Sequence, residues 1–169
     1  NRPAMSSIIC FQGKLFLVDA GPNLPVIMNA LGISVSEIEG IFHTHSHDDH
    51  FAGIPSLMQT DHRIRYFATP LVRAAVTKKL TALLGVGEQE FENYFDVQDL
   101  TLDQWNKIEG LEVLPIFSPH PVETTCFYFR AMGPEGYKTY GHMADIASFS
   151  VLASMVTEDE MAPGISEAR

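Results

Sequence analysis

The run His43-Thr-His-Ser-His-Asp-Asp-His50 packs four histidines and two aspartates into eight residues. Neutral imidazoles and carboxylates are the ligands that zinc, iron and manganese take, and residues two apart on an extended loop can converge on one ion. A lone histidine would read as a core or surface group, and a histidine tract of low complexity would carry no meaning. This run instead follows the apolar stretch Ile38-Glu-Gly-Ile-Phe42 and precedes Phe51-Ala-Gly-Ile-Pro-Ser-Leu-Met58, so it sits where a strand runs into a helix. His45, His47, Asp49 and His50 are therefore expected to hold metal.

His45-Ser-His47-Asp-Asp49-His50 resembles, at every fixed position, the His-x-His-x-Asp-His signature of the metallo-β-lactamase superfamily, with Thr44 before it and Gly53 after it. Leu15-Phe-Leu-Val-Asp-Ala-Gly21 looks like the earlier strand of that family, which ends in Asp-x-Gly. A helix over Asn23 to Leu31 and the segment from Gly32 into the metal strand look most like the phosphodiesterase branch, which includes the tRNA 3′-processing endonucleases. The resemblance runs from about Ser6 to Asp145. It implies an α/β architecture, the αββα sandwich of the metallo-β-lactamase fold, with metals at one sheet edge. Residues 1–169 read as one domain, incomplete at both ends, because the chain starts at Asn1 and stops at Arg169 inside a stretch that reads as helical.

Two more ligands follow from the resemblance. His120, in Phe117-Ser-Pro-His-Pro-Val-Glu-Thr-Thr125, matches the third metal-binding motif, and Asp145, in Tyr140-Gly-His-Met-Ala-Asp145, matches the bridging aspartate. Asp145 could also cap a helix over Ile146 to Met155. By resemblance His45, His47 and His120 hold a first ion, while Asp49, His50 and Asp145 hold a second, Asp145 bridging. The family's last ligand is a histidine on a later strand, and the sequence has no histidine after His142. His142 itself stands where the family has small residues, so it is a candidate for orienting a ligand or facing substrate.

The cofactor implied is two divalent metal ions, zinc first, with manganese or iron as alternatives. Two such ions, two aspartates and a hydroxide leave a site of roughly +1, which suits an anionic oxygen, and water bound there ionises near pH ~7. The reading is a metal-dependent hydrolase using a metal-bound hydroxide, with Asp49 as the catalytic residue that orients the nucleophile or takes its proton. Glu123, Thr124 and His142 are candidates for contact with substrate, and these three and the family's later histidine are all candidates for protonating the leaving group.

Composition narrows the substrate. The 169 residues carry a formal net charge of −10 and are 46% hydrophobic, enough for a globular core but with an electrostatic field that repels a long polyanion. The basic groupings are His62-Arg-Ile-Arg65 and Lys78-Lys79, the latter fitting the exposed face of a helix. A small anionic molecule is expected as substrate, a cyclic nucleotide being one such phosphodiester, with no long nucleic acid and no membrane as partner; a homodimer is implied by the resemblance alone. Hydrolysis of a thioester, lactone or β-lactam shares the ligand set and stands as an alternative. A non-hydrolytic sensor or di-iron domain is a further one, against which His47 weighs, since such proteins of the superfamily usually have Glu there. Cys10 and Cys126 both lie in apolar runs and are expected to be buried reduced thiols, which suits a cytoplasmic protein.

The elements needed to position these groups can be read from pattern. Ser6 to Gln12 and Leu15 to Asp19 form a hairpin about Gly13-Lys14, and Ile64 to Thr69 is a strand. Pro70 to Leu84 is a helix with Thr69 as N-cap and Gly85 past its end, burying Leu71, Ala74, Ala75, Leu80 and Leu84. Glu88 to Tyr94 is a short helix whose Phe91 and Tyr94, with Phe95, enter the core. Val113 to Phe117 is a strand leading to His120, and Thr125 to Tyr140 is a hairpin turning at Gly133-Pro-Glu-Gly136.

Overall fold

The structure is a computed structural model that describes residues 5–155. The two chain ends, including the first residues and the helical stretch expected beyond Met155, lie outside them. The chain divides into two compact units, Asn1–Leu100 and Thr101–Arg169.

The first unit holds a sheet of five strands whose spatial order equals their chain order. β1 (Ser7–Phe11) and β2 (Lys14–Val18) are an antiparallel hairpin. Its two turn residues, Gln12 and Gly13, have φ of 50° and 78°, the mirror-image turn whose twist matches that of the strands. α1 (Leu24–Ala30) then leads by a short 3-10 turn, Val35–Glu37, to β3 (Ile38–Phe42). Ser34 and Glu37 cap that turn reciprocally, which fixes the angle at which β3 enters. Beyond β3 come the short helices α2 (Asp48–Phe51) and α3 (Ile54–Leu57), then β4 (Ile64–Ala68), α4 (Pro70–Leu84), the single turn α5 (Phe91–Tyr94) and β5 (Phe95–Asp99).

From β2 to β5 all pairings are parallel. Parallel strands joined by crossover helices are buried on both faces, and the sequence shows it. One face sends Leu17, Ile38, Ile41, Ile64, Tyr66, Ala68 and Phe95 into a core with Val72, Val76 and Leu80 of α4 and Leu24 and Met28 of α1. The intervening residues Phe16, Val18, Phe42 and Phe67 are at most 1% exposed on the other face, and the rings of Phe42 and Phe67 stack at 4.7 Å. Parallel pairing also brings the strand ends to one edge, so Asp19 after β2 and His43 after β3 emerge side by side; Asp19 N–H donates to Phe42 O at 2.8 Å.

α4 has the bounds expected, with Pro70 in its first turn and Gly85 at φ 69° closing it. Thr69 stands at the N-cap position without a side-chain cap. The buried face is a correction: Leu71 is 65% and Leu84 40% exposed, and Ala74 is also exposed, so the core stripe is Val72, Val76 and Leu80. Cys10 is a second correction. It lies exposed on β1, an edge strand paired on one side only, whereas Cys126 is buried as expected.

The second unit is an antiparallel sheet in the order β6 (Asn106–Ile108), β7 (Leu111–Phe117), β8 (Thr125–Gly133) and β9 (Gly136–His142), followed by α6 (Phe149–Met155). Gly136, at φ 105°, closes the tight turn between β8 and β9. Leu114, Ile116, Cys126 and Ala144 form a small core. Beside it Arg130 is held by Trp105 at 3.7 Å and Tyr137 at 4.4 Å from its guanidinium carbon, with Glu112 2.6 Å from its Nε. No helix among the described residues is long and apolar enough to cross a membrane.

Candidate metal centre

The candidate metal ligands of the first unit are His45 and His47, on the loop between β3 and α2, and Asp49 and His50, on α2 itself. Residues 43 to 47 form the loop after the strand, and His47, at φ −64° and ψ 153°, turns the chain into α2. His43, Thr44, His45 and His50 are wholly buried, while the Asp49 carboxylate is 45% exposed.

Asp19 organises this loop. Its Oδ1 accepts from the Thr44 backbone N–H at 2.7 Å, and its Oδ2 accepts from the Thr44 hydroxyl at 2.7 Å. The same Oδ2 lies 2.7 Å from His50 Nδ1. Burial pushes the Asp19 carboxyl up, but the His50 hydrogen bond, the pull of His43 and His50 whenever they are protonated and the Thr44 N–H together hold it below the usual carboxylate range, so it is ionised. An ionised Asp19 can only accept. His50 Nδ1 must then carry the proton, and Nε2 is the ring atom with a lone pair to offer a metal, 3.8 Å from Asp49 Oδ2.

The same logic fixes His45. Thr44 spends its one hydroxyl hydrogen on Asp19, so its oxygen accepts from His45 Nδ1 at 2.9 Å, which leaves His45 Nε2 with the lone pair that could bind a metal. That atom lies 3.2 Å from His47 Nδ1, a spacing that two ligands of one tetrahedral ion take. A carboxylate that orients ligating histidines through their outer nitrogens is the usual support of a metal site. The residues of this loop therefore fit a metal.

Asp19 adopts φ 62°, a left-handed conformation that costs a non-glycine residue on the order of 1 kcal/mol or more. The strain lets the backbone double back so that Ala20 N–H reaches His50 O at 2.8 Å and Gly53 N–H reaches Ala20 O at 2.7 Å. A Cβ on Gly53 would stand 2.5 Å from Gly21 O, so glycine is required there. Asp19 was legible only as the end of a strand; its Asp-x-Gly context, where a carboxylate meets a tight turn at a strand terminus, is the signal that marks it.

His43, the first histidine of the run, is not part of the donor set. Burial drives its pKa down to about 4, against the pull of Asp19, and its Nδ1 meets the Tyr66 hydroxyl at 3.0 Å. It is a neutral core residue.

In the second unit the loop after β7 carries His120 and the segment after β9 carries Asp145. His120 Nε2 lies 3.7 Å from Asp145 Oδ2, close enough for one cation to take both. Ser118 Oγ donates to Asp145 O at 2.8 Å, and Ser118 N–H donates to Thr124 O at 3.0 Å, so the two segments are tied together beside the ligands. The Thr124 hydroxyl donates to Val122 O at 2.8 Å, Glu123 is exposed, and His142, half-buried, ends β9 opposite Phe127. The helix expected over Ile146 to Met155 begins only at Phe149, so Asp145 lies in the preceding loop and is no N-cap.

Comparison with known proteins agrees with this reading of the fold. Residues 4–148 match the family described as Anti-Pycsar protein Apyc1. The chain is 29% identical over 120 residues to cAMP/cGMP-dependent 3′,5′-cAMP/cGMP phosphodiesterase B of Dictyostelium discoideum, covering 71% of this chain and 11% of that protein. It is 37% identical over 60 residues to ribonuclease Z of Clostridium kluyveri, covering 36% of this chain and 20% of that protein. Among solved structures it resembles the short form of human tRNase Z, with a TM-score of 0.61, 19% identity and coverage of 85% of this chain and 63% of that one. It also resembles the metallo-beta-lactamase fold protein YhfI of Bacillus subtilis, with a TM-score of 0.59, 17% identity and coverage of 76% and 51%. The fold is that of the metallo-β-lactamases, as the histidine run implies, and the chain spans about a fifth or less of these two curated relatives.

Proposed function

The chain belongs to the Anti-Pycsar protein Apyc1 family through residues 4–148, and from that premise we propose that it is a metal-dependent hydrolase of a small phosphodiester, with a cyclic nucleotide as substrate class. The observation that carries the metal part is the Asp19, Thr44, His45 and His50 network, which leaves two imidazole Nε2 atoms as ligands. The substrate part is supported by likeness to a cyclic-nucleotide phosphodiesterase over 71% of the chain and by a net charge of −10, which disfavours a long polyanion.

In this reading His45, His47 and His120 hold one ion, and Asp49, His50 and Asp145 hold a second, with Asp145 shared. Bound there, divalent ions, zinc before manganese or iron, supply activated water and offset the charge that develops on phosphoryl oxygens. The chain supplies the rest. Asp19 keeps the His45 and His50 lone pairs aimed, and the half-exposed Asp49 carboxylate orients the nucleophile and accepts its proton. Thr124 spends its hydroxyl on Val122 O, so His142, Glu123 and the family's later histidine are the stronger candidates to protonate the leaving oxygen.

The test uses the full protein: metal content by elemental analysis, then hydrolysis of cyclic nucleotides, a linear dinucleotide, a thioester, a lactone and a β-lactam. Bound metal, with cyclic-nucleotide turnover lost in His47→Ala, is the expected result. Absence of metal with activity intact in His47→Ala overturns the proposal, and preference for an ester or lactam overturns the substrate class.

A further inference from the structure

Lys79 stands on α4, far in sequence from the metal-binding loop, yet its ammonium is docked on that loop's outer side. It donates to Ser46 O at 2.6 Å and to Asp48 Oδ1 at 2.5 Å, and it sits 4.5 Å from the centre of the Phe51 ring. The sequence pattern puts Lys78 and Lys79 together on a solvated helix face. Lys78 is exposed, but Lys79 is turned inward, and its side chain retains 30% exposure.

The residues it grips alternate with the ligands. His45, His47 and Asp49 are the donors; Ser46 and Asp48 lie between them. His47 is extended and Asp48 opens α2, so a clamp on the Ser46 carbonyl and the Asp48 carboxylate holds both sides of that junction and fixes where His47 and its neighbours His45 and Asp49 project, without touching their side chains. The lysine is itself anchored, because Val76, Thr77 and Leu80 on the same helix are buried. The Asp48 contact is an ion pair whose carboxylate side is largely in solvent, so the ammonium is held by one charged and one neutral acceptor.

We infer that Lys79 is a positioning residue that braces the ligand loop from α4 and sets its affinity for metal. The inference rests on the metal reading of this loop. A purely electrostatic role would have the opposite sign, since an ammonium beside a cation site opposes cation binding and its removal leaves the Asp48 charge to attract the ion. A brace, when removed, loosens the ligands, and losses of supporting contacts typically weaken metal binding about 10–100-fold.

The experiment measures zinc affinity of the metal-stripped full protein by competition with a chromophoric chelator, for wild type, Lys79→Met, Lys79→Arg and the double variant Asp48→Asn with Lys79→Met. Methionine keeps the apolar stem over Phe51, and arginine keeps the charge and donors. Zinc affinity should fall at least about tenfold in Lys79→Met, stay low in the charge-neutral double variant and return toward wild type in Lys79→Arg. Unchanged or tighter binding by Lys79→Met, or a loss that Lys79→Arg does not rescue, overturns the brace. Wild-type protein that binds no zinc sinks the metal reading itself, a result separable from the first two.

Discussion

His50 Nδ1 and Asp19 Oδ2 meet at 2.7 Å across 31 residues of sequence, and that contact decides which nitrogen of His50 has a lone pair to offer a metal. Asp19→Asn keeps the shape and reverses the polarity. The amide nitrogen facing His50 donates, so His50 must accept through Nδ1 and carry its proton on Nε2, where it blocks ligation. Metal affinity at that ion should fall about 10–100-fold with the fold retained. Chelator competition reads the affinity, and ring-nitrogen NMR shifts of His50 read the tautomer; unchanged values of both would rule out the relay.

Acid should destabilise the metal-free protein through His43. Its folded pKa, about 4, lies below the unfolded value of 6.5, so between those values the unfolded chain binds more protons and stability rises with pH. The contribution is fully present above about 6.5 and is lost as pH falls toward about 4. A gap of that size corresponds to about 3 kcal/mol. Urea denaturation of the metal-free chain across this window should show the slope, and His43→Gln should flatten it; a variant with the wild-type slope would contradict the assignment.

Gly53→Ala should destabilise the site's backbone frame. The added carbon would meet Gly21 O at 2.5 Å, Leu24 Cβ at 2.9 Å and Ala20 O at 3.0 Å, and two of those three are backbone atoms that cannot rotate away. Overpacking of this kind costs about 1–3 kcal/mol, to be read as a lower urea midpoint. An unchanged midpoint would mean that the loop between β2 and α1 yields without cost.

The histidine and aspartate cluster was legible as a candidate metal site because such residues rarely crowd a strand-to-helix junction without a metal to hold, and α4 was legible because Pro70 and Gly85 punctuate both its ends. The buried face of α4 was not. Leu71 and Leu84 sit at the helix ends, where apolar residues can remain in solvent, so hydrophobicity without a neighbour to pack on misassigned them. Cys10 misled for a related reason, since an apolar run on an edge strand need not be buried. β5 escaped because Phe95-Asp-Val-Gln-Asp99 offers two apolar residues, Phe95 and Val97, whose place is set by pairing with β4. Asp19 and Lys79 act through partners 25 or more positions away, a range at which local pattern carries no information.

The five-stranded sheet is laid down in the order in which the chain is read. Each strand that emerges during synthesis finds a finished edge waiting, and no earlier pairing has to open to admit it. The segment from residue 45 to residue 50 therefore follows a strand, β3, that is flanked by β2 on one side and β4 on the other, both encoded before residue 69.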